Sequence, residues 1–260
     1  MNIQGKTALV TGASSGIGVR FARQLAARGA NLVVTARRHD RLVALKEELE
    51  AAHGIQVLTI AEDLSAPDGA SQLIKAIQQA NQSVDVLINN AGFGTQNPFV
   101  DIPWKKTAQQ LHLNIVALTE LTHHYATEMK ERGGGHILNV ASIAAYLPIP
   151  YYATYAATKA YVRNFSEAIA YELRNTGVRV CSLCPGPTHS EFMDVSGHKL
   201  SPLAKSTFMS AERCARIGLR ALFGWRWNIV SGWMNRLMVT SLRFAPRWMV
   251  TRIAAVVMGR

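Results

Sequence analysis

Along the chain, short apolar runs alternate with stretches in which apolar residues return every third or fourth position. Thr7 to Thr11, Asn31 to Ala36, Gln56 to Ala61, Val84 to Asn89, His136 to Ala141 and Arg179 to Cys184 are apolar runs of strand length. Between them, Gly16 to Arg28 places Ile17, Phe21 and Leu25 at i, i+4 and i+8, and Arg38 to Ala52 places Leu42, Leu45 and Leu49 on one face. Helices are also predicted over Pro67 to Ala80, Trp104 to Arg132 and Tyr152 to Asn175, with the glycines from Gly133 to Gly135 stopping the second of these. Strands apolar on both faces and separated by helices are what a parallel sheet covered on both sides requires. Right-handed crossovers then predict an α/β, doubly wound (Rossmann) parallel sheet of about seven strands with helices on both faces.

Past Ser210 the pattern predicts a helix to about Phe223 and a seventh strand at Trp227 to Val230. A last helix opens at Pro246, with Met249, Ile253, Val256 and Val257 on one side. No Ser/Gly/Pro-rich linker interrupts the sequence. Residues 1–260 therefore read as a single domain, with a substrate lid at about 187–210 and a basic C-terminal extension at about 225–260.

Composition narrows the class. Of 260 residues, 48% are hydrophobic and 17% charged, enough for a core and too little charge for a disordered chain. The apolar run Ile253 to Met258 spans six residues, against the ~20 of a membrane-crossing helix, and no secretory apolar region follows Met1. A cytoplasmic protein is expected. Three cysteines make no disulfide framework. Cys181 and Cys184 form a C-x-x-C, but zinc would want a second pair, and residues three apart on a strand point to opposite faces. They read as small apolar residues, and no metal is expected. The net charge of +11 is uneven: nine arginines and no acidic residue lie between Arg213 and Arg260.

The first strand and helix are joined by Thr11, Gly12, Ala13, Ser14, Ser15, Gly16, Ile17 and Gly18. Glycines in such a turn permit close backbone approach to a pyrophosphate, and the helix N-terminus offers it a positive dipole end. After the second strand stand Arg37 and Arg38, with no carboxylate until Asp40. Arginine clamps a 2′-phosphate that a carboxylate would repel, which predicts NADP(H) rather than NAD. Tyr155 and Lys159 lie four apart on one helical face, where the ammonium is expected to lower the phenol toward general acid/base use. Ser142 ends the preceding strand, facing the same crevice.

With Asn90, Ala91 and Gly92 after the fourth strand, Asn114 in the long helix, and Pro185 and Gly186 after the sixth, this ensemble resembles the short-chain dehydrogenase/reductase family over about Lys6 to Phe192. The resemblance implies that Asn114, Ser142, Tyr155 and Lys159 form the catalytic tetrad. It also implies a cofactor held by the loop from Thr11 to Gly18, by Asp63 and Leu64 near the adenine, by Asn90, Ala91 and Gly92, by Tyr155 and Lys159, and by Pro185, Gly186 and Thr188 at the nicotinamide. The implied reaction is hydride transfer to or from a carbonyl carbon. Tyr155 would exchange the proton, Ser142 bond the substrate oxygen, and Asn114 hold a water linked to Lys159. Ala36 to Leu45 and Cys184 to Pro187, followed by Glu191 and Phe192, are similar to bacterial reductases related to 17β-hydroxysteroid and 3-ketoacyl reductases.

An aromatic wall from Tyr146 to Tyr152 favours a hydrophobic ketone or aldehyde, while His189, Met193, His198 and Phe208 in the lid single out no substrate. The alternative from another class is an NADP-sensing regulatory protein without turnover. Nucleic acid is not expected as a partner, because no recognition motif accompanies the tail's charge. Family members commonly form homodimers or homotetramers. For the arginine- and tryptophan-bearing tail three readings stay open: packing on a subunit or over the pocket, peripheral contact with an anionic membrane, or a solvated basic face.

Overall fold

Valine, leucine and isoleucine dominate the runs that become strands, and their alternating side chains feed two separate cores. The computed structural model describes residues 3–189, 191, 208–224 and 226–258. Its strands are β1 (Thr7–Thr11), β2 (Asn31–Ala36), β3 (Val57–Ala61), β4 (Val86–Asn89), β5 (Gly135–Val140), β6 (Val178–Cys184), a short pair β7 (Thr188–His189) and β8 (Met209–Ser210), and β9 (Asn228–Val230). The helices are α1 (Gly16–Ala26), α2 (His39–His53), α3 (Gly69–Gln79), α4 (Trp104–Leu111), α5 (Leu118–Glu131), α6 (Ala153–Glu172), α7 (Ala211–Leu222), α8 (Trp233–Ser241) and α9 (Arg247–Val257).

Seven strands form one sheet in the order β3-β2-β1-β4-β5-β6-β9, all neighbours parallel, and β7 pairs with β8 apart from it. Alternation decides the layers. Val10, Val34, Ile88 and Leu138 face one core with Phe21, Leu25, Leu42 and Leu219 from α1, α2 and α7. Their neighbours Leu9, Val33, Leu87 and Ile137 face the other, with Leu73, Ile77, Leu121 and Met129 from α3 and α5. Each such side chain, fully buried, contributes roughly 1.5–3 kcal/mol. The doubly wound single domain is as the periodicity predicts.

Three features depart from that reading. The helix predicted from Trp104 to Arg132 is divided by a π-helical turn, His112–Ala117, between α4 and α5. Helix α8 stands where the periodicity predicts no helix. Pro246 caps α9 from outside rather than opening it. The lid residues Phe192, Met193 and His198, and Trp225 in the extension, lie outside the described residues. Cys181 and Cys184 join different apolar clusters, and burial pushes their thiols up to about 12 and about 11, the state of inert core cysteines.

Candidate active site

Strand order reverses between β1 and β4, so the loops after these strands flank a crevice at the carboxyl edge of the sheet. The loop after β1 is stripped of side chains where it turns. Gly12 has φ +66°, and a Cβ there would stand 2.9 Å from Asn90 Nδ2 and 3.0 Å from Ala91 Cα. A Cβ on Gly18 would collide with the Gly12 carbonyl oxygen. Helix α1 then begins at Gly16, with no side-chain bond from its N-cap Ser15 and no acidic residue in its first turn. Bare backbone beside a positive helix end fits a dinucleotide pyrophosphate.

The loop after β4 is tied to this cradle. Thr11 Oγ1 accepts from the Asn90 amide (3.0 Å) and the Ala91 amide (2.9 Å), and Asn90 Nδ2 donates to the Thr11 carbonyl oxygen (2.9 Å). At the end of β2, Arg38 donates through Nε (3.2 Å) and Nη2 (3.0 Å) to Ser14 Oγ and forms an ion pair with Glu191 (2.9 Å). Arg41 pairs with the same carboxylate at 2.6 Å. Arg37 is exposed. Asp63 Oδ1 accepts from the Ser65 amide and hydroxyl (3.0 and 2.7 Å), and Leu64 is buried.

Across the crevice, Tyr155 and Lys159 lie buried on α6, one turn apart. Lys159 Nζ stands 5.7 Å from the Tyr155 ring centroid, donates to the Val140 carbonyl oxygen (2.8 Å), and would be 3.4 Å from a Cβ on Gly92. Ser142 lies two residues past β5 rather than at its end, as the N-cap of the 3-10 turn Ile143–Tyr146; it hydrogen-bonds the Tyr155 phenol, while its Oγ accepts from the Ala144 amide at 3.1 Å. Asn114, buried in the π turn, accepts from the Phe93 amide (3.2 Å) and donates to the Phe93 carbonyl (2.9 Å) and Thr158 Oγ1 (3.1 Å). All four residues expected to act together are thus brought together.

Their electrostatics correct one expectation. The nearby ammonium does not make the phenol acidic in this structure. Burial pushes Tyr155 up to about 12, against the pull of the Ser142 hydrogen bond. Burial also brings Lys159 down to about 8. The ammonium faces the ring and a backbone carbonyl, so desolvation outweighs charge attraction.

Several residues of the site carry no motif. Tyr152 packs its ring on Tyr155 (centroids 4.5 Å apart), and Met258 at the end of α9 packs on the same cluster. Thr158 links Asn114 to the Tyr155 carbonyl oxygen (2.8 Å). After β6, the Pro185 carbonyl accepts from the Ile143 amide (2.9 Å), and Thr188 Oγ1 donates to the Gly186 carbonyl oxygen (2.9 Å). Ser231 Oγ accepts from the Gly186 amide (3.3 Å), and the Asn235 side chain lies where a Gly186 Cβ would stand. A polar or aromatic residue in a helical stretch gives no sequence signal for such long-range contacts.

Comparison with known proteins identifies the family. The sequence profile described as short chain dehydrogenase matches residues 6–200. The chain is 30% identical over 232 residues to a 7beta-hydroxysteroid dehydrogenase of Clostridium sardiniense, covering 89% of this chain and 87% of that one. A short-chain dehydrogenase from Sphingobium yanoikuyae in complex with NADPH superposes with a TM-score of 0.83 at 28% identity, covering 94% of both chains. A short chain dehydrogenase/reductase from Burkholderia phymatum in complex with NAD superposes with a TM-score of 0.82 at 25% identity, covering 94% of this chain and 93% of that one. The chain belongs to the short-chain dehydrogenase family of oxidoreductases, whose chemistry is hydride transfer with a nicotinamide cofactor.

Proposed function

We propose that this protein is an NADP(H)-dependent reductase of a hydrophobic ketone or aldehyde, with Tyr155 as its general acid and base. The observation that carries the reading is a buried phenol hydrogen-bonded to Ser142, beside the Lys159 ammonium, across the crevice from the glycine cradle. When bound, the nicotinamide supplies the hydride that reaches the carbonyl carbon, or accepts it in the reverse reaction. Residues Thr11 to Gly18 would hold the pyrophosphate, Asp63 and Leu64 would border the adenine, and Asn90 to Gly92 with Pro185, Gly186 and Thr188 would border the nicotinamide end.

Tyr155 gives its proton to the substrate oxygen as the alcohol forms, and Ser142 donates a hydrogen bond to that oxygen as charge builds on it. Lys159 balances the phenolate that remains. The Asn114 side chain is held by Phe93 and Thr158, and a water at this residue would link Lys159 to solvent. Arg38, held by Ser14, supports NADP(H), since a guanidinium favours a 2′-phosphate. An apolar substrate is supported by Ile149, Tyr152 and Met258 around Tyr155, and by the steroid named for the Clostridium relative. Exposed Val116 and Tyr161, beside α5 and on α6, support a homodimer through these helices.

The test is NADPH consumption across a panel of aromatic, alicyclic and steroidal ketones and aldehydes, with NADH in parallel. Turnover with NADPH and a preference for apolar substrates are expected. NADPH binding without consumption of any carbonyl would favour the regulatory alternative.

A further inference from the structure

Helices α8 and α9, joined by the 3-10 turn Leu242–Phe244, turn most of their apolar surface outward. Trp233, Met234, Leu237, Phe244, Trp248 and Val256 are between 57% and 86% exposed. Only Val239 of α8 and Val250 and Ala254 of α9 are buried. Large apolar side chains exposed in this number on two successive helices point to an interaction surface rather than to chance exposure.

Charge identifies the partner. Arg236, Arg243, Arg247 and Arg252 are exposed among these side chains, and none forms an ion pair among the described residues. Arg226, Arg236 and Arg243 also gather around one cavity of about 170 Å³, which Ile229, Val230 and Val239 line with them. A second copy on this face would set arginine against arginine, with no acidic residue from 213 to 260 to offset them. Nucleic acid would leave the aromatic and aliphatic residues without a role. An anionic lipid surface answers both, because it takes apolar side chains at the headgroup–acyl boundary and arginines at the phosphates. No helix among the described residues is long and apolar enough to cross a membrane, so the contact is peripheral.

We propose that the α8–α9 face docks this protein on an anionic phospholipid bilayer. The contact adjoins the crevice: Gln96 Nε2 donates to the Met258 carbonyl oxygen (3.4 Å), and Met258 packs on Tyr152 and Tyr155. Just beyond Gln96, Phe99, Val100 and Trp104 are exposed next to Lys105 and Lys106, repeating the same mixture. An apolar substrate dissolved in the bilayer would meet the enzyme at this mouth. Docking itself requires no turnover, so its test is independent of the test of reduction.

The experiment is flotation of the full chain with vesicles of phosphatidylcholine alone or mixed with phosphatidylglycerol. Binding to the mixed vesicles alone, weakening as salt rises, is expected. F244S and W248S should abolish flotation while keeping NADPH oxidation with a water-soluble ketone, and R243Q or R247Q should weaken it about fivefold each. In the wild-type protein, tryptophan emission should shift to the blue on anionic vesicles and be quenched by brominated lipid, a readout that needs no variant. Absence of both flotation and shift overturns the proposal. So does complete release by inorganic phosphate at an ionic strength where chloride releases none, which would assign the arginines to a free phosphate. A wild-type dimer that W248S converts to monomer, without vesicle binding, would assign the face to a second copy.

Discussion

His136 sits in β5 with its imidazole buried, its Nε2 without a hydrogen-bond partner among the described residues, and its ring 5.3 Å from that of Phe223. Burial, aided by the Arg179 charge, brings its pKa from 6.5 down to about 4. Between these values the unfolded chain binds the proton and the folded chain does not, so stability falls as pH drops through that window. The loss reaches about 3 kcal/mol at its lower end. Urea unfolding at pH 7 and near pH 4 should show that loss in the wild-type protein and much less of it in His136→Asn. Gly18 gives a second prediction. Gly18→Ala should cost cofactor affinity and stability together, because the added carbon meets the Gly12 carbonyl; unchanged NADPH binding would contradict the tight turn. At this scale the spacing of Tyr155 and Lys159 was legible, since helical geometry alone makes them neighbours. The pKa of the phenol was not, because it depends on burial by Tyr152 and Met258, which reach it from outside that turn.

In the proposed reading, the strand ends and the helices that follow them set cofactor choice. With Arg38 at the start of α2 and anchored on Ser14, Arg38→Glu should raise the KM for NADPH by about ten- to a hundredfold, the range of a lost charge-assisted contact, and spare NADH. Steady-state kinetics with both cofactors decides it; equal effects on the two would remove the arginine from the 2′-phosphate. Most elements were legible because their apolar faces turn toward a core. Helix α8 was missed because Trp233, Met234, Leu237 and Met238 face solvent, and periodicity reports only a buried stripe. The π turn was missed because one extra residue per turn barely disturbs a long helical pattern, yet it places Asn114 between Phe93 and Thr158.

At the scale of the molecule, the sheet gathers a cradle from β1, a phenol and ammonium from α6, and a bracing amide from α8 into one crevice. The doubly wound topology and the motif loops were readable from the alternation of strands and helices. The bracing of Gly186 by Ser231 and Asn235 was not, because it joins segments separated by more than forty residues and depends on how the last helices wrap back. Burial of both groups also sets the pH profile. With Tyr155 near 12 and Lys159 near 8, kcat/KM for ketone reduction should be flat through neutrality and fall above about pH 8, while alcohol oxidation rises with pH and levels off above about 8. A reduction rate that climbs through the same range would contradict the assignment of the proton to Tyr155. The most direct measurement of the central claim uses NADPH deuterated at C4 of the nicotinamide, with the product alcohol analysed by mass spectrometry. One of the two C4 epimers should deliver deuterium to the carbinol carbon with wild-type protein. Tyr155→Phe should deliver none while still binding NADPH, as read by fluorescence titration. Deuterium transfer by Tyr155→Phe at the wild-type rate would show that the proton comes from elsewhere.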